Sequence, residues 1–245
     1  HPVNLSEDEA ENWKRLTKQI SLELARSKNT EGGSGGLTEK AKMLLIQRSR
    51  IAKKAQIKPS LAAGIICKSF EEGQRWLVYC EDSDQLKQTM NLLTDGGLQP
   101  IEYHSSMEGD RSSALQWFTR FGGILVSIKC LDEGIDIPAV SHAFILASSQ
   151  NPRQFIQRRG RVLRKSGEKM LAVIHDAIVV PVDPASEPEQ ISLLKAEMIR
   201  ALQFADAAIN MGAGSRLRML ALSMGISVDE VSAIGIEEEE EVNDQ

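Results

Sequence analysis

Aromatic residues make up only 4% of this chain, cysteine occurs three times, and positive charge is in deficit. Each shortage excludes something. No apolar run approaches the ~18–20 residues that a membrane-spanning helix needs. The opening residues HPVNLSEDEAENW are polar and acidic, unlike the basic and then apolar opening of a signal peptide. The expectation is therefore a cytoplasmic protein without a membrane segment. Cys67, Cys80 and Cys130 include no CxxC pair and lie in or beside apolar stretches. They read as reduced, buried cysteines, with no zinc or other metal site. Lys and Arg total 29 against 34 Asp and Glu, a net charge of −5. Any contact with a polyanion must then come from a local basic cluster. The run Glu237–Glu241 alone accounts for that net charge and reads as a solvated, disordered acidic tail.

What is present is ordinary for a globular chain of 245 residues, 42% hydrophobic and 26% charged. Four segments are expected. Residues 1–72 read as a helical connector arm. Within it, Ser6 and Glu9 form a capping-box pattern, and Trp13, Leu16, Ile20 and Leu24 recur at helical spacing over 5–28. Residues 31–36, EGGSGG, have the composition of a flexible linker and suggest an engineered splice in place of a longer insertion. A basic helix over 38–55 has Ala41, Leu44, Leu45, Ile51 and Ala52 as its apolar side. A third helix runs from Lys58-Pro59 to about Glu72.

From Arg75 the period changes. Trp76–Cys80, residues 99–103, Gly123–Ser127, His142–Leu146 and Met170–Ile174 are short apolar runs. Helical stretches over Asp84–Leu93, Gly109–Phe121 and Pro152–Leu163 lie between them. Short apolar runs alternating with helices predict an α/β domain over 73–182 built on a parallel sheet. In such sheets ligands gather at the carboxyl ends of the strands, here after Cys80, Tyr103, Val126 and Leu146. C-terminal helices over 183–226, broken at Gly212–Gly214, precede the tail 227–245.

Three segments carry candidate chemistry. Residues 137–167 contain no Asp or Glu but hold Arg153, Arg158, Arg159, Arg161, Arg164 and Lys165. In a helix Gln157, Arg161 and Arg164 share one face, opposite Phe155, Ile156, Val162 and Leu163. Such guanidinium forks suit a triphosphate, or else form a solvated face paired to carboxylates elsewhere. The stretch Ile124–Pro138 runs from a buried strand through Ser127 and Lys129 to Gly134 and Asp136. Ser127 can donate to a phosphate, Gly134 permits close backbone approach, and Asp136 can accept from a ribose hydroxyl. The bland alternative is a structural turn. Last, His104, Ser105 and Ser106 follow a strand, where the hydroxyls can meet a phosphate backbone.

The order of these segments resembles the second RecA-like domain of superfamily 2 helicases, most of all the DEAD/DEAH-like branch with the type III restriction and XPB-type enzymes. Trp76–Cys80 resembles motif IV. Tyr103-His104-Ser105-Ser106, with Arg111 and Phe118, resembles the yHxxm…R…F stretch. Ser127–Pro138 resembles motif V, with Ser in place of Thr, and Gln157–Arg164 resembles motif VI, QxxGRxxR. The resemblance implies a RecA-like parallel sheet sandwiched by helices. It implies that Arg161 contacts the γ-phosphate of ATP and Arg164 is the arginine finger. Gln157, Gly134 and Asp136 line the nucleotide. Ser127, Lys129, Ser105 and Ser106 face the nucleic-acid backbone, with DNA the expected substrate.

The departures are equally definite. The sequence contains no GxxxxGK[ST] and no DEAD or DEAH-type box. Nothing in it cradles the β- and γ-phosphates or holds Mg²⁺. The expectation is a carboxyl-terminal motor domain whose partner lobe, carrying both motifs, completes the ATPase. The alternatives are a non-enzymatic RecA-like binding module and, within the motor class, a chromatin-remodelling-like translocase. An intact pair of arginines argues against the first. The QRRGR sequence of motif VI argues against the second.

Overall fold

The computed structural model describes residues 1–28, 37–128, 140–147, 172–206 and 208–227. They divide into two compact units. One comprises Gln56–Ala177 together with His1. The other comprises Pro2–Ala55 and the chain from Ile178 onward.

The first unit is a parallel sheet. Its strands are β2 (Arg75–Cys80), β3 (Pro100–Tyr103), β4 (Gly123–Ile128), β5 (His142–Ile145) and β6 (Val173–Asp176). Their order across the sheet is β3-β4-β2-β5-β6, and every neighbouring pair is parallel. β2 is central and almost wholly buried. It therefore reads as an unbroken apolar run rather than an alternation of apolar and polar residues. Trp76, Val78 and Cys80 share a core with Ile124, Val126 and Phe144 of the flanking strands. Leu86 and Leu93 of helix α4 (Ser83–Asp95) close it, with Ala62, Ala63 and Ile66 of helix α3 (Ile57–Ser69). Burying each large side chain here contributes about 1.5–3 kcal/mol. Helix α3 thus belongs to the sheet unit, which begins at Gln56, whereas composition grouped it with the arm.

Helix α5 (Arg111–Phe121) joins β3 to β4. The chain reverses after it through Gly122 and Gly123, at φ 77° and 113°. Gly123 N donates to Gln74 O at 2.8 Å. β6 lies two or three residues later than the apolar run suggested. Its parallel register on β5 pairs His142 with Val173 and Ile145 with Asp176. The segment expected as a helix at 152–163 lies outside the described residues.

In the second unit the capping box forms. Ser6 N donates to Glu9 Oε2 at 2.9 Å, and Glu9 N donates back to Ser6 Oγ at 3.3 Å. It opens helix α1 (Glu7–Lys28), whose Trp13, Leu16 and Ile20 are buried. Trp13 Nε1 donates to Glu189 O at 2.9 Å, and the Arg48 guanidinium of α2 (Glu39–Lys53) lies 4.9 Å from its ring centre. A two-residue strand β1 (Pro2–Val3) pairs in parallel with β7 (Ile178–Val179). Helix α6 (Ile191–Asp206) and helix α7 (Met211–Ser223) pack Leu194, Met198 and Leu202 with Ala221.

The expected break at Gly212–Gly214 is not where α6 ends. Both glycines lie inside α7, and Asn210 starts that helix by accepting from Gly212 N at 3.1 Å. A Cβ at Gly214 would meet Arg218 Nη1 at 2.7 Å and Asp206 Oδ1 at 3.5 Å.

Candidate functional site

Parallel strands deliver their following loops to one edge. The register aligns Tyr103, Ser127, Tyr79, Ile145 and Asp176 in a row across the sheet. β2, β3, β4 and β5 all end at or just beyond that row. These are the strand ends the sequence singled out.

After β2 the chain turns at once into α4. Asp82 accepts from Gln85 N at 3.1 Å, and Gln85 Oε1 accepts from Glu81 N at 2.8 Å. Gln85 is itself buried. The turn is thus tied to its own helix by side-chain caps.

After β3 the chain makes a longer loop. Tyr103 is buried under the Arg111 guanidinium, which lies 5.6 Å from the ring centre. His104 is only 8% exposed, while Ser105 and Ser106 face solvent. His104 Nε2 lies 2.6 Å from Glu102 Oε1, and its Nδ1 lies 3.1 Å from Ser106 Oγ. Ser106 N also donates to Nδ1, at 3.3 Å. At the far end Asp110 caps α5, accepting from Ser112 N and Ser113 N at 3.0 Å each. The Ser113 hydroxyl and then those two amides hold the Asp110 carboxyl below its usual pKa.

At the end of β4, Ser127 has 0% exposure. Its hydroxyl donates to Val78 O at 3.2 Å, so it staples β4 to β2 and points away from the open edge. Lys129, Gly134, Asp136, Gln157, Arg161 and Arg164 lie outside the described residues. Of the sequence-predicted site residues, the structure therefore places Ser105, Ser106 and Ser127, and it brings Tyr103 and Ser127 into register.

Two features escaped sequence reading. His104 was singled out with Ser105 and Ser106, but its pairing with Glu102, two positions earlier, was not seen. Lys58 was taken for the start of a helix. It is 1% exposed, and its Nζ donates to Leu146 O at 2.9 Å, beyond the end of β5. A lysine carries no sequence signal for burial. Among the described residues no cluster of His, Cys, Asp or Glu could hold a metal ion, and no helix is long and apolar enough to cross a membrane.

Residues 58–166 match the family described as the helicase conserved C-terminal domain. Over 109 residues the chain is 31% identical to a Methanocaldococcus jannaschii protein whose name is that of an ATP-dependent RNA helicase. The match covers 41% of this chain and 14% of that protein. Over 78 residues it is 33% identical to the DNA 3'-5' translocase XPB2 of Sulfurisphaera tokodaii, covering 31% of this chain and 18% of the relative. The matched stretch thus spans less than a fifth of either relative's length. The Sulfolobus solfataricus SWI2/SNF2 ATPase core domain shares the fold at 17% identity with a TM-score of 0.50. That likeness covers 93% of this chain and 48% of that one.

Proposed function

We propose, from the match of residues 58–166 to the helicase conserved C-terminal domain, that this chain is the second motor domain of an ATP-dependent nucleic-acid helicase or translocase. It works with a first RecA-like lobe that carries the P-loop and the Mg²⁺-binding box. The support is the alignment of the carboxyl ends of β2, β3, β4 and β5 along one edge of a parallel sheet, together with that family match.

By the motif resemblance, Arg161 and Arg164 are the groups that act on the triphosphate, and Gln157, Gly134 and Asp136 are those that serve the nucleotide. ATP, with Mg²⁺ held by the first lobe, supplies the phosphoryl-transfer free energy. The chain's part is to bring rigid positive charge to the oxygens where negative charge builds up. Ser105 and Ser106 meet the nucleic-acid backbone, with Lys129 next to the end of β4. Ser127 contributes by fixing that strand end to β2. Such contacts carry no sequence information. The similar proteins bear both RNA and DNA names, so the substrate proposed is nucleic acid of either kind. DNA was the expectation from the branch resemblance.

The test is reconstitution. The chain, joined to a lobe bearing a P-loop lysine and a DExx box, should hydrolyse ATP when nucleic acid is added. Arg164→Ala should cut the turnover by about 10³–10⁵ while ATP still binds. Unchanged hydrolysis in that variant would show a binding module instead.

A further inference from the structure

We propose that His104 is a positioning residue: it locks the Ser105–Ser106 loop in the shape that meets a nucleic-acid backbone, and Glu102 in turn locks His104. The inference rests on the nucleic-acid reading of this edge.

The hydrogen bonds fix the ring's state. Ser106 N–H is an obligate donor and points at Nδ1, 3.3 Å away. Nδ1 therefore offers its lone pair, and the ring proton sits on Nε2. From there it is donated to Glu102 Oε1 at 2.6 Å. Glu102 and His104 are two apart in and just beyond β3, so the pleat puts both on one face of the sheet. The strand itself makes the pair.

The other end of the ring shapes the loop. An acceptor two residues before a backbone N–H does what the side chain of Asn does in an Asx-turn. The imidazole takes that role while its body stays buried. Met107 N closes the same turn on His104 O at 3.3 Å. Gly109, at φ 110°, and the Asp110 cap fix the far end. The loop is thus held at both ends, with the Ser105 and Ser106 side chains outside. Glu102 accepts from the Nε2–H and so holds the ring in this orientation.

The experiment uses the whole chain with fluorescently labelled single- and double-stranded DNA and RNA at low salt. Amide hydrogen exchange at Ser106 is followed in parallel. The Nδ1 contact can be separated from the Nε2 contact by choice of residue. Asn at 104 can accept from Ser106 N–H but cannot reach Glu102. Gln offers Glu102 a donor and leaves Ser106 free. His104→Ala and His104→Gln should each weaken oligonucleotide binding by roughly tenfold, about 1.4 kcal/mol, and speed exchange at Ser106. His104→Asn should restore most of both. Glu102→Ala should weaken binding by a smaller factor, with Ser106 exchange moving in the same direction.

Wild-type binding that His104→Ala leaves unchanged overturns the positioning role and leaves the motor reading standing. Equal loss in the Ala and Asn variants also overturns it, because the acceptor then does not matter. If the wild-type chain binds no oligonucleotide, the nucleic-acid reading fails at this edge. Ser106 exchange then still decides whether the brace exists, since equal rates in wild type and His104→Ala remove it.

Discussion

The ammonium of Lys58, on the first turn of α3, donates to the main-chain carbonyl of Leu146 at 2.9 Å with the whole side chain buried. Leu146 N in turn donates to Tyr79 O at 3.1 Å. One residue beyond β5 is thus pinned from two sides, to the central strand and to α3. Lys58→Ala would open a cavity and leave a buried carbonyl without this donor. Adding the two effects, a loss of about 3 kcal/mol or more is expected. Lys58→Met fills the space but not the hydrogen bond, so it should cost about 1–3 kcal/mol. Urea unfolding checks both, with the midpoint falling at unchanged slope. No shift for either variant would mean that the ammonium is not holding the strand end.

The reversal between α5 and β4 gives a contrast between two glycines. At Gly122 a Cβ would sit 2.7 Å from Gln74 O, on backbone with φ 77°. At Gly97, φ is 83° but a Cβ meets nothing within 4 Å. Gly97→Ala should cost only the left-handed conformation, about 1 kcal/mol. Gly122→Ala adds a clash with backbone that cannot rotate away, and should cost roughly 2–4 kcal/mol. Thermal unfolding of the two variants should separate them clearly. Equal effects would mean that the Gln74 turn yields.

These positions show what the sequence could and could not reveal. β2 and β4 were legible because fully buried parallel strands leave an uninterrupted apolar run. The α1 start was legible because Ser6 and Glu9 satisfy each other's amides locally. β1 was not, since two residues carry no period. Lys58 was not, because its burial depends on a carbonyl 88 positions away. The α6–α7 boundary was misread because the Asn210 cap, rather than the glycines that follow it, sets where α7 begins. At the candidate site, Ser105 and Ser106 followed from their place after a strand. The inward turn of the Ser127 hydroxyl depends on its neighbour Val78, which pairing brings close and spacing does not reveal. Gly134, Asp136, Gln157, Arg161 and Arg164 lie outside the described residues.

His175 on β6 stacks on Trp76 with ring centres 5.5 Å apart and lies beside His142 and Phe144. Burial, then the charge on His142, then the chain's amino terminus push its pKa below the ordinary 6.5. The folded chain therefore holds this proton less tightly than the unfolded chain does. The unfolded state binds more protons just below pH 6.5, so stability rises with pH through that window and falls on acidification. His175→Phe keeps an aromatic ring in the stack and removes the titration. Its stability should depend less on pH between about 5 and 7 than that of the wild type. Parallel curves would assign the pH dependence to other groups.

In the second unit, Glu197 is buried on α6. One carboxylate oxygen accepts from Val179 N at 2.9 Å, and the other accepts from Arg200 Nη1 at 2.6 Å. A single carboxylate thus ties the short strand β7 to the helix and neutralises a guanidinium one turn on. Removing it takes the acceptor from a buried amide and the carboxylate from a largely buried guanidinium, so Glu197→Ala should cost about 3–5 kcal/mol. Glu197→Gln can still accept from Val179 N but carries no charge for Arg200, and should fall between that variant and wild type. Replacing both residues, Glu197→Leu with Arg200→Leu, removes both buried charges and leaves the Val179 amide without its acceptor. The double variant should therefore be more stable than Glu197→Ala. If chemical unfolding ranks it lower, Arg200 stabilises the fold through contacts other than Glu197.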